Sequence, residues 1–232
     1  MLLPPKYFPQ DAGSLNLADV RKLLTRDNPL ILEIGSNIGQ STIELVTAFP
    51  HATVICFEPE PRANAQFKQN VTSPNVTLFE MAIGSINGTI SFNQSDGDGI
   101  YKDWNQSGSI KAPKLLKNLW PDVKFESKIE VPIVRLDNFT AQNGIEMVDF
   151  IWADVQGAEG DLIRGGERTL SNTTCFYTEY YSEEIYEGQL TLDDICKSVF
   201  DLNLVLYRKF EADALFVNKT HLDLSTLYFR SI

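Results

Sequence analysis

A chain of 232 residues, 43% hydrophobic and 22% charged, is long enough for one α/β domain and apolar enough to bury a core without disulfide staples. Its formal net charge of −11, with 20 basic residues scattered among 31 acidic ones, leaves no basic stripe to neutralise phosphates and weighs against nucleic acid or an anionic membrane as main partner. Two histidines and three widely spaced cysteines, Cys56, Cys175 and Cys196, argue against a zinc site, so no metal is expected; thiols in apolar runs, without a secretion signal or an apolar run of 18 residues, point to a cytoplasmic protein.

Residues 1–29 read as a helical extension. Apolar positions 17, 20, 23 and 24 recur at helical spacing, and the helix is expected at a sheet edge. Leu30–Gly35 is a short apolar run closed by a glycine, a buried strand. Residues 38–49 predict a helix ended by Phe49-Pro50, Thr53–Glu58 a second buried strand, 61–71 a helix opened by Pro61 at its first turn, and Val76–Phe79 a third strand. This alternation requires right-handed crossovers and parallel pairing.

Residues 82–93 read as a hairpin around Asn87-Gly88. The stretch 94–128 is the least regular: it holds Asp96-Gly-Asp-Gly99, Ser107-Gly-Ser109, two prolines, Trp104 and Trp120. It reads either as a lid or substrate-side insertion or as a plain surface loop, and Asp96–Gly99 is too short for a calcium loop. The alternation then resumes: a strand at Val148–Asp154, a helix at 158–170, a strand at Thr174–Glu179 and a helix at 191–200. Leu202–Arg208 and Ala214–Val217 form a closing hairpin that gives one antiparallel strand. With no repeat and no linker, the whole of 1–232 reads as one domain.

Four clusters carry chemistry. Glu33-Ile-Gly35-Ser36-Asn37-Ile-Gly39 sits at a strand-to-helix turn where a dinucleotide fold carries G-x-G-x-x-G. Asn37 replaces the glycine that lets backbone approach a pyrophosphate, which suggests a ligand without one. S-adenosylmethionine fits, with Gly35 and Gly39 leaving it space and Glu33 reaching its ammonium directly or through water; alone, a glycine turn also serves packing. Glu58, followed by Pro59, ends the second strand, where a carboxylate accepts both ribose hydroxyls; alternatively it is a helix N-terminal charge. Met81-Ala82, past the third strand, offers apolar surface to an adenine or is simply core. Asp154-Val-Gln156-Gly157-Ala-Glu159 and Glu179 gather three carboxyls at strand ends, where like charges raise one another's pKa and suit a general base. As the first acid of a helix, Glu159 equally serves backbone amides.

Glu33–Gly39, Glu58-Pro59, Leu136-Asp137 and Asp149-Phe-Ile-Trp-Ala-Asp-Val-Gln-Gly-Ala-Glu159, with Asn70, Ala82-Ile-Gly84, Gly88, Ser107-Gly-Ser109, Gly165 and Glu179, resemble the FkbM-type methyltransferase family over residues 30–180. Gln156 stands where that family often has Glu. The resemblance implies a Rossmann-like class I methyltransferase fold: three layers, α/β/α, around a mostly parallel seven-stranded sheet with an antiparallel last strand. It also implies S-adenosyl-L-methionine as cofactor and O-methylation of a small-molecule acceptor, often a sugar or secondary-metabolite hydroxyl. Cofactor contacts are expected from Glu33, Gly35, Ser36, Asn37, Gly39, Glu58, Pro59, Met81, Ala82 and Asp154. Neither histidine lies in a motif, so Asp154 is the first candidate base, with Glu159 and Glu179 orienting the acceptor; Tyr101, Trp104 and Trp120 either stack on it or pack the lid. The rival readings are an NAD-dependent oxidoreductase and a non-catalytic domain that kept the cofactor site. A hydrolase is disfavoured because Gly39-Gln-Ser-Thr-Ile43 lacks the second glycine of a nucleophile elbow.

Overall fold

A computed structural model describes residues 13–98 and 102–222. Helix α1 (Leu17–Leu23) is opened by Asn16, whose side chain accepts from the Ala18 N–H at 2.9 Å. Its Val20 and Leu23 join Ile31, Leu45 and Val54 in a core layer on one face of the main sheet. The helix therefore packs over that sheet face, with its Asp19 accepting from the Arg208 guanidinium at 2.9 Å.

Strand β1 (Leu30–Ile34), α2 (Gln40–Ala48), β2 (Thr53–Phe57), α3 (Pro61–Asn70) and β3 (Val76–Phe79) follow in the expected alternation. The strands pair in parallel, Leu30 opposite Thr53 and Val54 opposite Val76. Next come β4 (Ala82–Gly84) and β5 (Gly88–Gly97), then the one-turn helix α4 (Leu116–Leu119) and the long β6 (Val123–Arg135).

Strands β4 and β5 do not form the expected hairpin. β6 lies between them, parallel to β4 and antiparallel to β5, in a separate three-stranded sheet. Asn87 explains the difference: its Oδ1 accepts from the Arg135 N–H at 2.9 Å, so the turn residue caps the end of β6. Pro132, which cannot donate to a ladder, hides β6 in the sequence. The irregular stretch correspondingly shrinks, since Gln94–Gly97 close β5 and Val123–Lys128 open β6.

The chain returns to the main sheet through α5 (Leu136–Gln142), β7 (Val148–Ala153), α6 (Glu159–Gly165), α7 (Glu167–Ser171), β8 (Thr173–Glu179), α8 (Leu192–Phe200), β9 (Leu204–Lys209) and β10 (Asp213–Asn218). The helix expected over 158–170 is two short ones. A Cβ on Gly165 would sit 1.8 Å from the Gly84 carbonyl oxygen, so helix and β4 touch backbone to backbone and the axis breaks there. Asp137 then caps α7, its Oδ1 accepting from the Thr169 N–H at 2.8 Å and its Oδ2 from the Arg168 N–H at 3.1 Å.

The seven strands run in the order β3-β2-β1-β7-β8-β10-β9, with β10 antiparallel to both neighbours. One core layer holds Leu32, Phe57, Phe139 and Phe176; the other holds Ile31, Val54, Phe150 and Cys175. Strand order reverses at β1, so the carboxyl ends of β1, β2 and β7 open onto the crevice where a ligand binds in such sheets.

Candidate functional site

The end of β1 passes into a turn that only glycine can begin. Gly35 has φ +89°, and a Cβ there would stand 1.8 Å from the Asp154 carbonyl oxygen. The Gly35 and Ser36 N–H groups donate to the Phe57 carbonyl at 2.9 and 3.1 Å, while the Asp154 N–H donates to Ile34 at 2.9 Å. Three strand ends are thereby held at backbone contact distance. They floor a cleft of about 440 Å³ whose other wall is the arm 104–110, together with Leu116 and Trp120. The Asn37 amide ties arm to turn, donating to the Asn105 carbonyl at 3.1 Å.

Glu58 is fixed from both sides. Its Oε2 accepts from the Asn37 N–H and its Oε1 from the Glu60 N–H, both at 2.8 Å, and each oxygen keeps a lone pair for a ligand. Burial pushes its carboxyl up to about 7, the two backbone bonds oppose the shift, and the charges of Glu60 and Asp154 add to it. Ser36, Asn37, Pro59, Met81 and Ala82 line the same cleft, and the buried Ser36 Oγ has no protein partner.

Two expected contacts lie off the cleft surface. Glu33, on β1, is buried beneath α2, its Oε2 accepting from the Thr42 hydroxyl at 2.5 Å and the Cys56 thiol at 3.3 Å, and burial pushes it up to about 7. Gly39 opens α2 with φ +89°, and a Cβ there would meet Val71 Cγ2 at 2.3 Å, so it allows α2 to approach the end of α3.

Opposite Glu58, Asp154 and Glu179 meet across Gln156. The Gln156 Nε2 donates to Asp154 Oδ1 at 2.6 Å and to Glu179 Oε2 at 3.2 Å, and the Tyr181 hydroxyl donates to Glu179 Oε1 at 2.8 Å. Burial raises both carboxyls. The bonds from Gln156 and Glu179 restrain Asp154, whereas the Asp154 charge drives Glu179 further up, so Glu179 is the better proton holder. Glu159 is fully buried behind this pair. Its Oε1 accepts from the Gly157 N–H at 3.2 Å, and burial pushes it up to about 7.

Glu58, Asp154 and Glu179 thus share one cleft, while Glu33, Gly39 and Glu159 support it from behind. Trp104 and Trp120 line it; Gly99 and Tyr101 fall outside the described residues. Sequence reasoning missed Asn105, Tyr181 and Tyr186. The tyrosines, two and seven positions past Glu179, are the only hint the chain offers of them.

The family model of the methyltransferase FkbM domain matches residues 33–214. The chain is 43% identical over 199 residues to the 2-O-methyltransferase NoeI of Sinorhizobium fredii, covering 84% of this chain and 82% of that protein. It is 23% identical over 146 residues to Methyltransferase 1 of Beauveria bassiana, covering 60% of this chain and 59% of that one. Among solved structures, methyltransferase FkbM from Methylobacillus flagellatus KT superposes with a TM-score of 0.51 at 13% identity, over 82% of this chain and 44% of that chain, a likeness of fold.

Proposed function

Since this chain belongs to the FkbM methyltransferase domain family and has the class I methyltransferase fold, we propose that it carries the methyl group of S-adenosyl-L-methionine to a hydroxyl oxygen of a sugar or another small metabolite. The observation that carries this reading is one cleft in which Glu58, above the Gly35 turn, faces the Asp154–Glu179 pair.

The site suits the donor: a carboxylate with spare lone pairs at the end of β2, an unpartnered Ser36 hydroxyl, and a turn whose glycine brings the ends of β1 and β7 together beneath the cleft. Gly35, Ser36 and Asn37 would line its amino-acid side, Glu58 would accept the ribose hydroxyls, and Pro59, Met81 and Ala82 would flank the adenine. When bound, the donor supplies a methyl group already activated on a sulfonium.

The protein's task is then to orient the acceptor and take its proton. Orientation is worth roughly 7–11 kcal/mol of barrier, and a placed base about 10²–10⁴-fold in rate. Asp154 ionises more readily than Glu179, so Asp154 takes the hydroxyl proton while Glu179 holds and orients the acceptor; Glu159 keeps the Gly157 turn in place behind them. Among the described residues the cleft lining holds carboxyls and no lysine or arginine to pair with an anionic acceptor, which favours an uncharged polyol. The arm 104–110 with Trp120 forms the acceptor side. The free thiols Cys56, Cys175 and Cys196 agree with a cytoplasmic setting.

Calorimetry with S-adenosylmethionine and S-adenosylhomocysteine, followed by labelled-methyl transfer to a panel of neutral methyl glycosides, tests the reading. Wild type should bind both and label at least one glycoside, Glu58→Ala should lose donor binding, and Asp154→Asn should lose turnover with donor affinity little changed. Binding of NAD instead would favour the oxidoreductase. Donor binding with no transfer would favour a non-catalytic domain.

A further inference from the structure

We infer that Gln156 is a positioning residue for methyl transfer, its amide clamping Asp154 and Glu179 together, and that Tyr186 orients that amide. The inference rests on the proposed function only in what the pair is for; the clamp itself is a feature of this fold.

Gln156 stands in the left-handed region at φ +49°, next to Gly157 at φ +88°. A residue other than glycine kept in that region is strained and persists where its surroundings over-determine it. Here they do. The Ser109 hydroxyl donates to the Gln156 carbonyl at 2.7 Å, fixing the backbone. The fully buried Tyr186 side chain fills the space where a side chain on Gly157 would go, its Cβ 2.5 Å and its ring 2.9 Å from that Cβ position. The Tyr186 hydroxyl is 2.9 Å from both the Gln156 Oε1 and the Ser107 carbonyl. The amide oxygen is thus turned toward Tyr186, leaving both N–H bonds for the carboxyls at 2.6 and 3.2 Å.

Segments 107–109, 154–157 and 179–186 converge on this one side chain. Among the described residues, the carboxyls around the pair work against its ionisation: Glu33 on β1, Glu58 past β2, Glu159 on α6 and Asp213 on β10. Tyr181 donates to Glu179 alone, and Lys111 is engaged by Asp161 at 2.5 Å. Gln156 is therefore the donor common to both carboxyls, and it favours their ionised forms without adding charge of its own.

Carbon-detected NMR titration of the side-chain carboxyls tests this in the unliganded protein, with Asp154→Asn and Glu179→Gln assigning the signals. Gln156→Met keeps the shape and removes both donors. A charge-assisted bond is worth enough to move the lower midpoint of the pair up by about one to two pH units, roughly a 10- to 100-fold loss of ionised base below it. Tyr186→Phe should give a smaller upward shift, and Gln156→Glu an upward shift as its own carboxyl ionises. The acid limb of the kcat profile should move with the midpoint while donor Kd stays within about twofold. Unmoved midpoints in Gln156→Met would overturn the inference; should that variant fail to fold, unmoved midpoints in Tyr186→Phe and Gln156→Glu would do so. The titration needs neither donor nor acceptor, so its failure is distinct from a wild-type protein that transfers no methyl.

Discussion

Gly35→Ala measures how closely the strand ends meet. The new methyl group would lie 1.8 Å from the Asp154 carbonyl oxygen, an atom of backbone that cannot rotate away. Relief requires the ends of β1 and β7 to part, which stretches the 2.9 Å bond from the Asp154 N–H to the Ile34 carbonyl. Left-handed strain on an alanine costs about 1–2 kcal/mol, overpacking about 1–3 kcal/mol, and the weakened backbone bond about 1 kcal/mol. The sum, roughly 3–6 kcal/mol, is a large part of the ~5–15 kcal/mol that holds a domain folded. At about 2–4 °C per kcal/mol for a chain of this size, the melting temperature should fall by roughly 6–24 °C. Gly144→Ala supplies the control: Gly144 also has positive φ, at +65°, but a Cβ there meets nothing within 4 Å. It should cost strain alone, roughly 2–8 °C, and so less than Gly35→Ala in the same melt. Circular-dichroism melts and urea titrations of both variants decide the matter. If the two variants melted at the same temperature, the argument that Gly35 exists for close approach would be wrong.

Asp137→Ala removes two acceptors from the first turn of α7 and should cost about 1–3 kcal/mol by urea denaturation, since the Arg168 and Thr169 N–H groups lose their caps. Burial raises Glu33, Glu58 and Glu159 to about 7 from an unfolded value near 4.5. Because the folded pKa is the higher one, the folded state binds more protons in that window. The contribution of these groups is full below the unfolded pKa and is lost as pH rises through 7, so the urea midpoint should fall between pH 5 and pH 8. A midpoint that rises over that interval would show that these carboxyls are not held protonated. Glu58→Gln should flatten the slope while weakening donor binding, and in wild type the cationic donor should bind more tightly at pH 8 than at pH 6, as calorimetry would read.

The predicted strands at 30, 53, 76, 148 and 174 fall where they do because each is a short apolar run between turn residues, and both faces of a parallel sheet are covered. Glu58, Asp154 and Glu179 were legible for the same reason: each directly ends or follows such a run, so its place in the crevice follows from strand order alone. What misled was local. Asn87-Gly88 carries a strong hairpin signal, yet its side chain serves a strand that lies 48 residues further on. Residues 158–170 have helical periodicity, yet the backbone of β4 reaches Gly165 and splits the helix.

The chain by itself determined the alternating architecture, the glycine turn, and the three carboxyls at strand ends, because burial periodicity and turn chemistry are properties of neighbouring residues. Only the tertiary structure decided that Glu33, Gly39 and Glu159 stand behind the cleft, that the arm 104–110 walls it, and that Gln156, held by Tyr186, joins Asp154 to Glu179. The bonds of Gln156 to Glu179 and Tyr186 join side chains 23 and 30 positions apart. No periodicity encodes them, for they arise when independently placed elements compete for the same space and the same hydrogen bonds.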